Sequence, residues 1–173
     1  NTSYVTIDQF KAQYDVAKKT MEMDGGSHKK LLYIAGTMVS PVALIRIEAI
    51  KQFAEDYGME ITIIDGDFEE KYARDITLQE GEAHDMIVCA SDLMAIGAMR
   101  ALIDMDIFRP VCGFDGITLM GYVGQQMNTV KQDFRLAAET AVAELKRLLD
   151  GEAGRKVMLE HELVRLQYSD IMK

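Results

Sequence analysis

The sequence predicts an α/β fold, a parallel sheet with helices on both faces, and three observations predict it. Short apolar runs of strand length, Leu31–Ala35 and Met86–Ala90 foremost, read as strands buried on both sides. Between such runs lie longer segments whose apolar residues recur every three or four positions, the period of a helix with one buried face. The two kinds of segment alternate along most of the chain, the order that βαβ units impose.

Each element follows from local signals. Tyr4–Ile7 is a short extended piece, and Asp8 can cap the helix after it, since its side-chain oxygen suits a free N–H of the first turn. That helix carries Phe10, Tyr14, Ala17 and Met21 as an apolar stripe and ends at Gly25-Gly26. After the Leu31–Ala35 strand, Ser40-Pro41 opens a second helix, because proline fits the first helical turn. Ala43, Ile47, Ile50, Ala54 and Tyr57 share one side of it, and Gly58 stops it. Ile61–Ile64 is the third strand, followed from Phe68 to Leu78 by a weaker helix with Tyr72, Ala73 and Ile76 inward. Met86–Ala90 is the fourth strand, after which Asp92 caps a helix that runs to Met105. Val111–Phe114 reads as a fifth strand, ended by the Asp115-Gly116 turn. From Thr129 the pattern changes, and Thr129–Asp133 leads into a helix with Phe134, Ala138, Ala141, Leu145 and Leu148 on one face, closed by Asp150-Gly151. Val157–Leu159 and Leu163–Leu166 are the last two strand-like runs.

Composition narrows the function classes. At 173 residues and 49% apolar, the chain can bury a core in one domain. A net charge of -9 repels phosphate backbones, so this stretch is not expected to bind nucleic acid by itself. Cys89 and Cys112 each lie inside an apolar run, as free thiols in a reducing compartment would. No run approaches the roughly eighteen apolar residues of a membrane span, and the start lacks a basic segment followed by an apolar one. The chain also begins at Asn1 rather than at methionine, which predicts a piece of a longer polypeptide.

Most chemistries lack their residues. His28, His84 and His161 are far apart, and no cysteine–histidine spacing fits a metal. Asp65–Glu70 is acidic but has neither the alternating ligands nor the central glycine of a calcium loop. Phosphate-binding glycine motifs and a nucleophile elbow are missing, and no nucleophile is paired with a base. What remains is a pair of strand ends, Ala90-Ser91-Asp92 and Gly113-Phe114-Asp115-Gly116, at the edge where open α/β sheets bind small ligands. Asp115 can accept bonds from two hydroxyls of a ligand; its plain alternative is an ordinary turn aspartate. Arg46, on pattern alone, is a solvated helix arginine, and Phe68 is as readily a core residue as a ring over a ligand.

Seven segments share one order: Ile7-Asp8, His28–Gly36, Arg46, Gly66-Asp67-Phe68, Ala90–Ala98, Gly113–Gly116 and Thr129–Phe134. In that order and near that spacing, the chain resembles the C-terminal half of the effector-binding core of LacI/GalR-type transcription regulators, a fold similar to periplasmic sugar-binding proteins. Each segment alone is a weak signal; together they span nearly the whole chain. The resemblance implies a periplasmic-binding-protein-like (type I) C-terminal subdomain at 1–128. A crossover and helix would follow at 129–156 and returning strands at 157–173, with the N-terminal subdomain and helix-turn-helix headpiece outside the chain. It implies a non-catalytic, cytoplasmic, homodimeric sensor of a small molecule, in particular a sugar, without cofactor or membrane contact, touching operator DNA only through the headpiece.

By the same resemblance Arg46, Phe68, Ser91, Asp115 and Gln132 face the ligand and Phe134 lines the cleft, while Asp92 is expected to be a helix cap. Ser91 departs from the family, which commonly has asparagine there, and Ile107–Val111 is several residues shorter than the family loop. The helix from Asp92 and the strand around Val111–Phe114 would supply part of the dimer surface. The helix from Phe134 packs on the N-terminal subdomain in the family, so here it is expected to fold back on its own sheet or to bury itself against another copy. A periplasmic-type sugar-binding protein and an α/β enzyme using Asp115 are the alternative readings.

Overall fold

Five parallel strands and one antiparallel edge strand form the main sheet of the computed structural model, which describes residues 1–117 and 126–166. The elements run β1 (Tyr4–Ile7), α1 (Gln9–Met23), β2 (Lys30–Ala35), α2 (Pro41–Asp56), β3 (Glu60–Asp65), α3 (Glu70–Glu80), β4 (Met86–Cys89) and α4 (Asp92–Asp104). Then come β5 (Val111–Cys112), β6 (Met127–Lys131), α5 (Phe134–Leu149), β7 (Lys156–Leu159) and β8 (Glu162–Leu166). The main sheet has the order β3-β2-β4-β5-β6-β8, and β8 alone runs antiparallel. The mixed α/β architecture with a mostly parallel sheet agrees with the sequence.

The middle of the sheet is apolar on both faces, so it must be covered on both. Leu31 to Ala35 and Met86 to Cys89 are wholly buried, in register with Ile61–Asp65 on one side and Val111-Cys112 on the other. Both cysteines are buried free thiols. Gly97 lets α3 and α4 approach closely: a Cβ there would run into the backbone carbonyl of Glu70 and lie 3.1 Å from Arg74 N.

Several helices are rotated from their expected stripes. The buried face of α1 is Ala12, Gln13, Val16, Ala17, Thr20 and Met21, while Phe10 is exposed. Two polar residues belong to that face because they have partners inside. Tyr33 Oη donates to Gln13 Oε1 at 3.5 Å, and Thr20 Oγ1 accepts from Asn128 Nδ2 at 3.0 Å. In α3 it is Ala73 and Thr77 that are buried, with Tyr72 half exposed. In α2 Tyr57 is outward, and Arg46 and Phe53 are inward.

Two further corrections concern the second half of the chain. Met127–Lys131, which its polar residues hide from a pattern reading, is a strand buried between β5 and β8. The fifth strand stops at Cys112, and pairing resumes only at an isolated Asp115–Lys131 bridge. β5 lies inside the sheet, with Val111, Cys112 and Phe114 buried. On α4, Leu93 and Ile103 are the large apolar residues left exposed.

The first strand does not join the main sheet. β1 pairs in parallel with β7, register Tyr4↔Lys156 to Ile7↔Leu159, in a separate two-stranded sheet. α5 leans on this ribbon through Ala141, Leu145 and Leu148 beside Ser3, Tyr4 and Val5. It does not fold back onto the main sheet; Phe134 is 60% exposed and Leu145 56% exposed in the single chain. What fastens it is ionic. Glu144, buried on α5, accepts from Arg155 Nη2 at 2.8 Å, Arg147 Nη1 at 2.8 Å and Ser3 Oγ at 3.0 Å. These partners precede β1, precede β7 and lie on α5 itself, so one carboxylate ties all three pieces.

The bonds from Arg155 first, then from Ser3, hold the Glu144 carboxyl at about 2, below its ordinary 4.5. A depressed carboxylate stabilises the fold above its unfolded pKa and loses that contribution as pH falls through the folded one. Protection of the Tyr4–Ile7 amides against hydrogen exchange, relative to their intrinsic rates at each pH, is therefore expected to fall in Glu144→Ala, and in the native chain as pH falls from about 4.5 toward about 2. Protection in β2 should not follow in the variant.

Candidate functional site

The loops that leave the carboxyl ends of the parallel strands gather on one edge of the sheet. Gly36 follows β2, Gly66–Phe68 follows β3, Ser91-Asp92 follows β4, Gly113–Ile117 follows β5 and Gln132-Asp133 follows β6. Parallel strands all end on the same side, so residues remote in sequence must meet there.

Arg46 reaches this edge from α2. It is 5% exposed, donates from Nη1 to Ala90 O at 2.5 Å, and donates from Nε and Nη2 to Gln9 Oε1 at 3.0 and 2.8 Å. Its guanidinium carbon lies 3.5 Å from the centroid of the Phe114 ring, a cation–π contact. Burial lowers its pKa, and the Asp115 carboxylate is the strongest influence the other way. It is thus a buried helix arginine rather than a solvated one.

Asp115 sits at φ 121°, a left-handed conformation that a non-glycine residue adopts only when its surroundings hold it. They do: Asp115 N donates to Val130 O at 2.9 Å, and Gln132 Nε2 donates to Asp115 Oδ1 at 3.0 Å. Burial pushes the carboxyl up to about 6, opposed by Arg46, with Asp92 adding to the rise. The edge therefore joins a cation, a carboxylate of raised pKa and an amide, all with unspent hydrogen-bonding capacity.

The cap expected of Asp92 belongs to its neighbour. Ser91 is the cap of α4, its Oγ accepting from Met94 N at 3.3 Å. Asp92 is wholly buried one residue on, and its side chain turns across to the next loop. There it accepts from Thr129 Oγ1 at 2.5 Å and from Ile117 N at 2.9 Å, while its own N–H donates to Phe114 O at 2.7 Å. Burial raises its pKa despite those donors. Gly113 makes room, since a Cβ there would lie 3.0 Å from Asp92 Cα. A serine–aspartate pair at a helix start offers two possible caps, and the glycine opposite was the signal that one of them is needed elsewhere.

Phe68 stands at the β3 end with φ 59°, its ring against Gly36, where a Cβ would collide with it. The acidic loop before it is knitted to the β2–α2 loop. Asp65 accepts from Asp67 N at 2.8 Å and Met38 N at 3.2 Å, and Thr37 donates to Asp67. Phe134 begins α5 and is largely exposed. The structure thus brings together Arg46, Ser91, Asp115 and Gln132 with three residues the sequence did not single out, Gln9, Phe114 and Thr129. A cavity at the opposite, amino end of the sheet, lined by Thr20, Asp24, Phe108 and Asn128 among others, holds none of them.

The periplasmic binding protein domain matches residues 1–153. The lactose operon repressor of Escherichia coli (strain K12) is 30% identical over 136 residues, 73% of this chain and 37% of the repressor. A Lac repressor dimer solved with operator and the anti-inducer ONPF superposes at TM-score 0.80, with 24% identity, covering 92% of this chain and 58% of that one. The complex of the transcriptional regulator CelR with cellobiose gives TM-score 0.82 and 25% identity over 95% of this chain and 53% of that one. A periplasmic solute-binding protein of Actinobacillus succinogenes 130z with bound D-allose gives 0.79 and 24%, over 98% of this chain and 62% of that one. The chain spans between a quarter and a half of the length of the curated relatives it matches.

Asp92→Ala would leave the Ile117 N–H and the Thr129 hydroxyl without their acceptor. Each buried donor so stranded costs on the order of 1–3 kcal/mol. A loss of about 3 kcal/mol in urea unfolding is expected, and an unchanged midpoint would show that the carboxylate is not the tie.

Proposed function

We propose that this chain, which belongs to the periplasmic binding protein domain family, is the C-terminal part of the sugar effector-binding core of a LacI-type DNA-binding transcription regulator. The observation that carries the reading is the convergence of Arg46, Asp115 and Gln132 at the carboxyl edge of the sheet. A guanidinium donates, a carboxylate accepts and an amide does both, which suits a ring of hydroxyls. Ser91 contributes a hydroxyl at the same edge, and Phe68 offers an aromatic face at its β3 end. The relatives that support the reading are regulators and sugar-binding proteins, not enzymes.

The whole regulator would act in the cytoplasm as a homodimer, holding the sugar between this subdomain and an N-terminal one and touching operator DNA through a headpiece. Sugar binding would shift the angle between the subdomains, the change a ligand selects when it fits one arrangement better than the other. A periplasmic sugar-binding protein is the second reading, favoured by the D-allose-bound relative. Fractionating source cells with an antibody to this chain separates the two.

The test of the site is calorimetric titration of the full-length protein with a panel of neutral sugars. Asp115→Ala is expected to weaken sugar binding at least tenfold, about 1.4 kcal/mol, and to leave operator binding in place. Hydroxyls bind the ionised carboxylate, so affinity should rise as pH rises through about 6, the folded pKa of Asp115, and Asp115→Asn should remove that step. Loss of operator binding in a folded Asp115→Ala protein would give Asp115 another job.

A further inference from the structure

The arginine of the proposed sugar site does not present its donors freely. A guanidinium grips a carboxylate with two parallel bonds, commonly from the edge formed by Nε and one terminal nitrogen. In this chain the amide oxygen of Gln9 already takes both donors of that edge, at 3.0 and 2.8 Å. Gln9 is half-buried at the first turn of α1, and its Nε2 lies 3.4 Å from Thr6 Oγ1, so the amide has an anchor on its far side. The Phe114 ring covers one face of the guanidinium, and Ala90 O takes Nη1. Of the five N–H groups of an arginine, one on Nη1 and one on Nη2 are left over, and Asp115 is the strongest negative influence on the guanidinium.

We propose that Gln9 is a positioning and selectivity residue. It fixes Arg46 by its Nε–Nη2 edge, keeps that edge closed to carboxylate ligands, and so tunes the site to neutral hydroxyl-bearing ones. This rests on the reading of the edge as a sugar site. The residual donors serve single hydroxyl acceptors, while an acidic sugar meets an occupied fork and the charge of Asp115. Gln9→Ala opens the fork without altering any charge. Gln9→Glu keeps an acceptor at the same reach and keeps the fork closed.

The experiment has two readouts on the full chain. With ¹⁵N-labelled arginine, the Arg46 Nε–H is identified by its loss in Arg46→Lys and its exchange with water is followed. Slow exchange is expected in the native chain and in Gln9→Glu, and about tenfold faster exchange in Gln9→Ala, the scale of one hydrogen bond lost. Equal exchange in all three overturns the clamp. The three proteins are then titrated with matched pairs, D-glucose with D-glucuronate and D-galactose with D-galacturonate. The ratio of acidic to neutral affinity is expected to rise about tenfold in Gln9→Ala alone. Faster exchange with an unmoved ratio overturns the selectivity role and leaves Gln9 a structural partner of Arg46. If no form binds any of the four sugars, the sugar reading falls and selectivity with it, while the exchange data still decide whether the clamp exists.

Discussion

A carboxylate buried behind a glycine fixes the edge on which the proposed site stands. Asp92 is wholly enclosed, and an enclosed carboxylate needs donors on all sides. It finds them on the β5–β6 side of the sheet, in Thr129 and in the backbone of Ile117. Meeting that need pulls the loop after β5 against the start of α4 and forces Gly113 to be glycine. Asp115 then has to pass through a left-handed conformation to bridge Lys131. Gln132 follows directly and reaches Asp115. The positions of Asp115 and Gln132 are thus inherited from a buried carboxylate that no ligand needs to touch.

Arg46 is the second buried charge, and its circumstances explain its chemistry. Burying a guanidinium is costly unless its donors are met and a counter-charge is near. Here two oxygens meet three donors, an aromatic ring covers one face, and Asp115 supplies the charge. The same proximity works in both directions, because Arg46 is what chiefly opposes the rise of the Asp115 pKa. The pair is poised rather than fully mated, with Gln9 holding one partner and Gln132 the other.

Away from this edge the chain carries a second, smaller assembly. β1, β7 and α5 are linked by Glu144 and its arginines rather than by a core, since Glu144 is the one buried side chain of α5. A two-stranded ribbon has too little apolar surface to bury a helix face. Ionic ties near the surface therefore do what packing does in the main sheet, and the apolar residues of α5 stay exposed in the single chain.

The sequence by itself determined the elements with strong local signals. Runs of consecutive apolar residues must be strands covered on both faces, so β2 and β4 were legible, and caps and glycines marked most helix ends. The edge to which the strand ends carry Ser91 and Asp115 was also legible, because parallel strands deliver their ends to one side, whereas Arg46 and Gln132 were placed there only by the family resemblance. Tertiary structure decided what local pattern cannot encode. Met127–Lys131 is a strand because β5 and β8 flank it, although its own residues are mixed. Gln13 and Thr20 point inward because Tyr33 and Asn128 await them. Ser91 caps α4 because Asp92 is claimed by Thr129, and Gln9 became part of the site because the fold lays α1 beside α2. In each case the deciding partner lies at least twenty residues away or on another element, and polar burial is settled by such partners rather than by hydrophobic period.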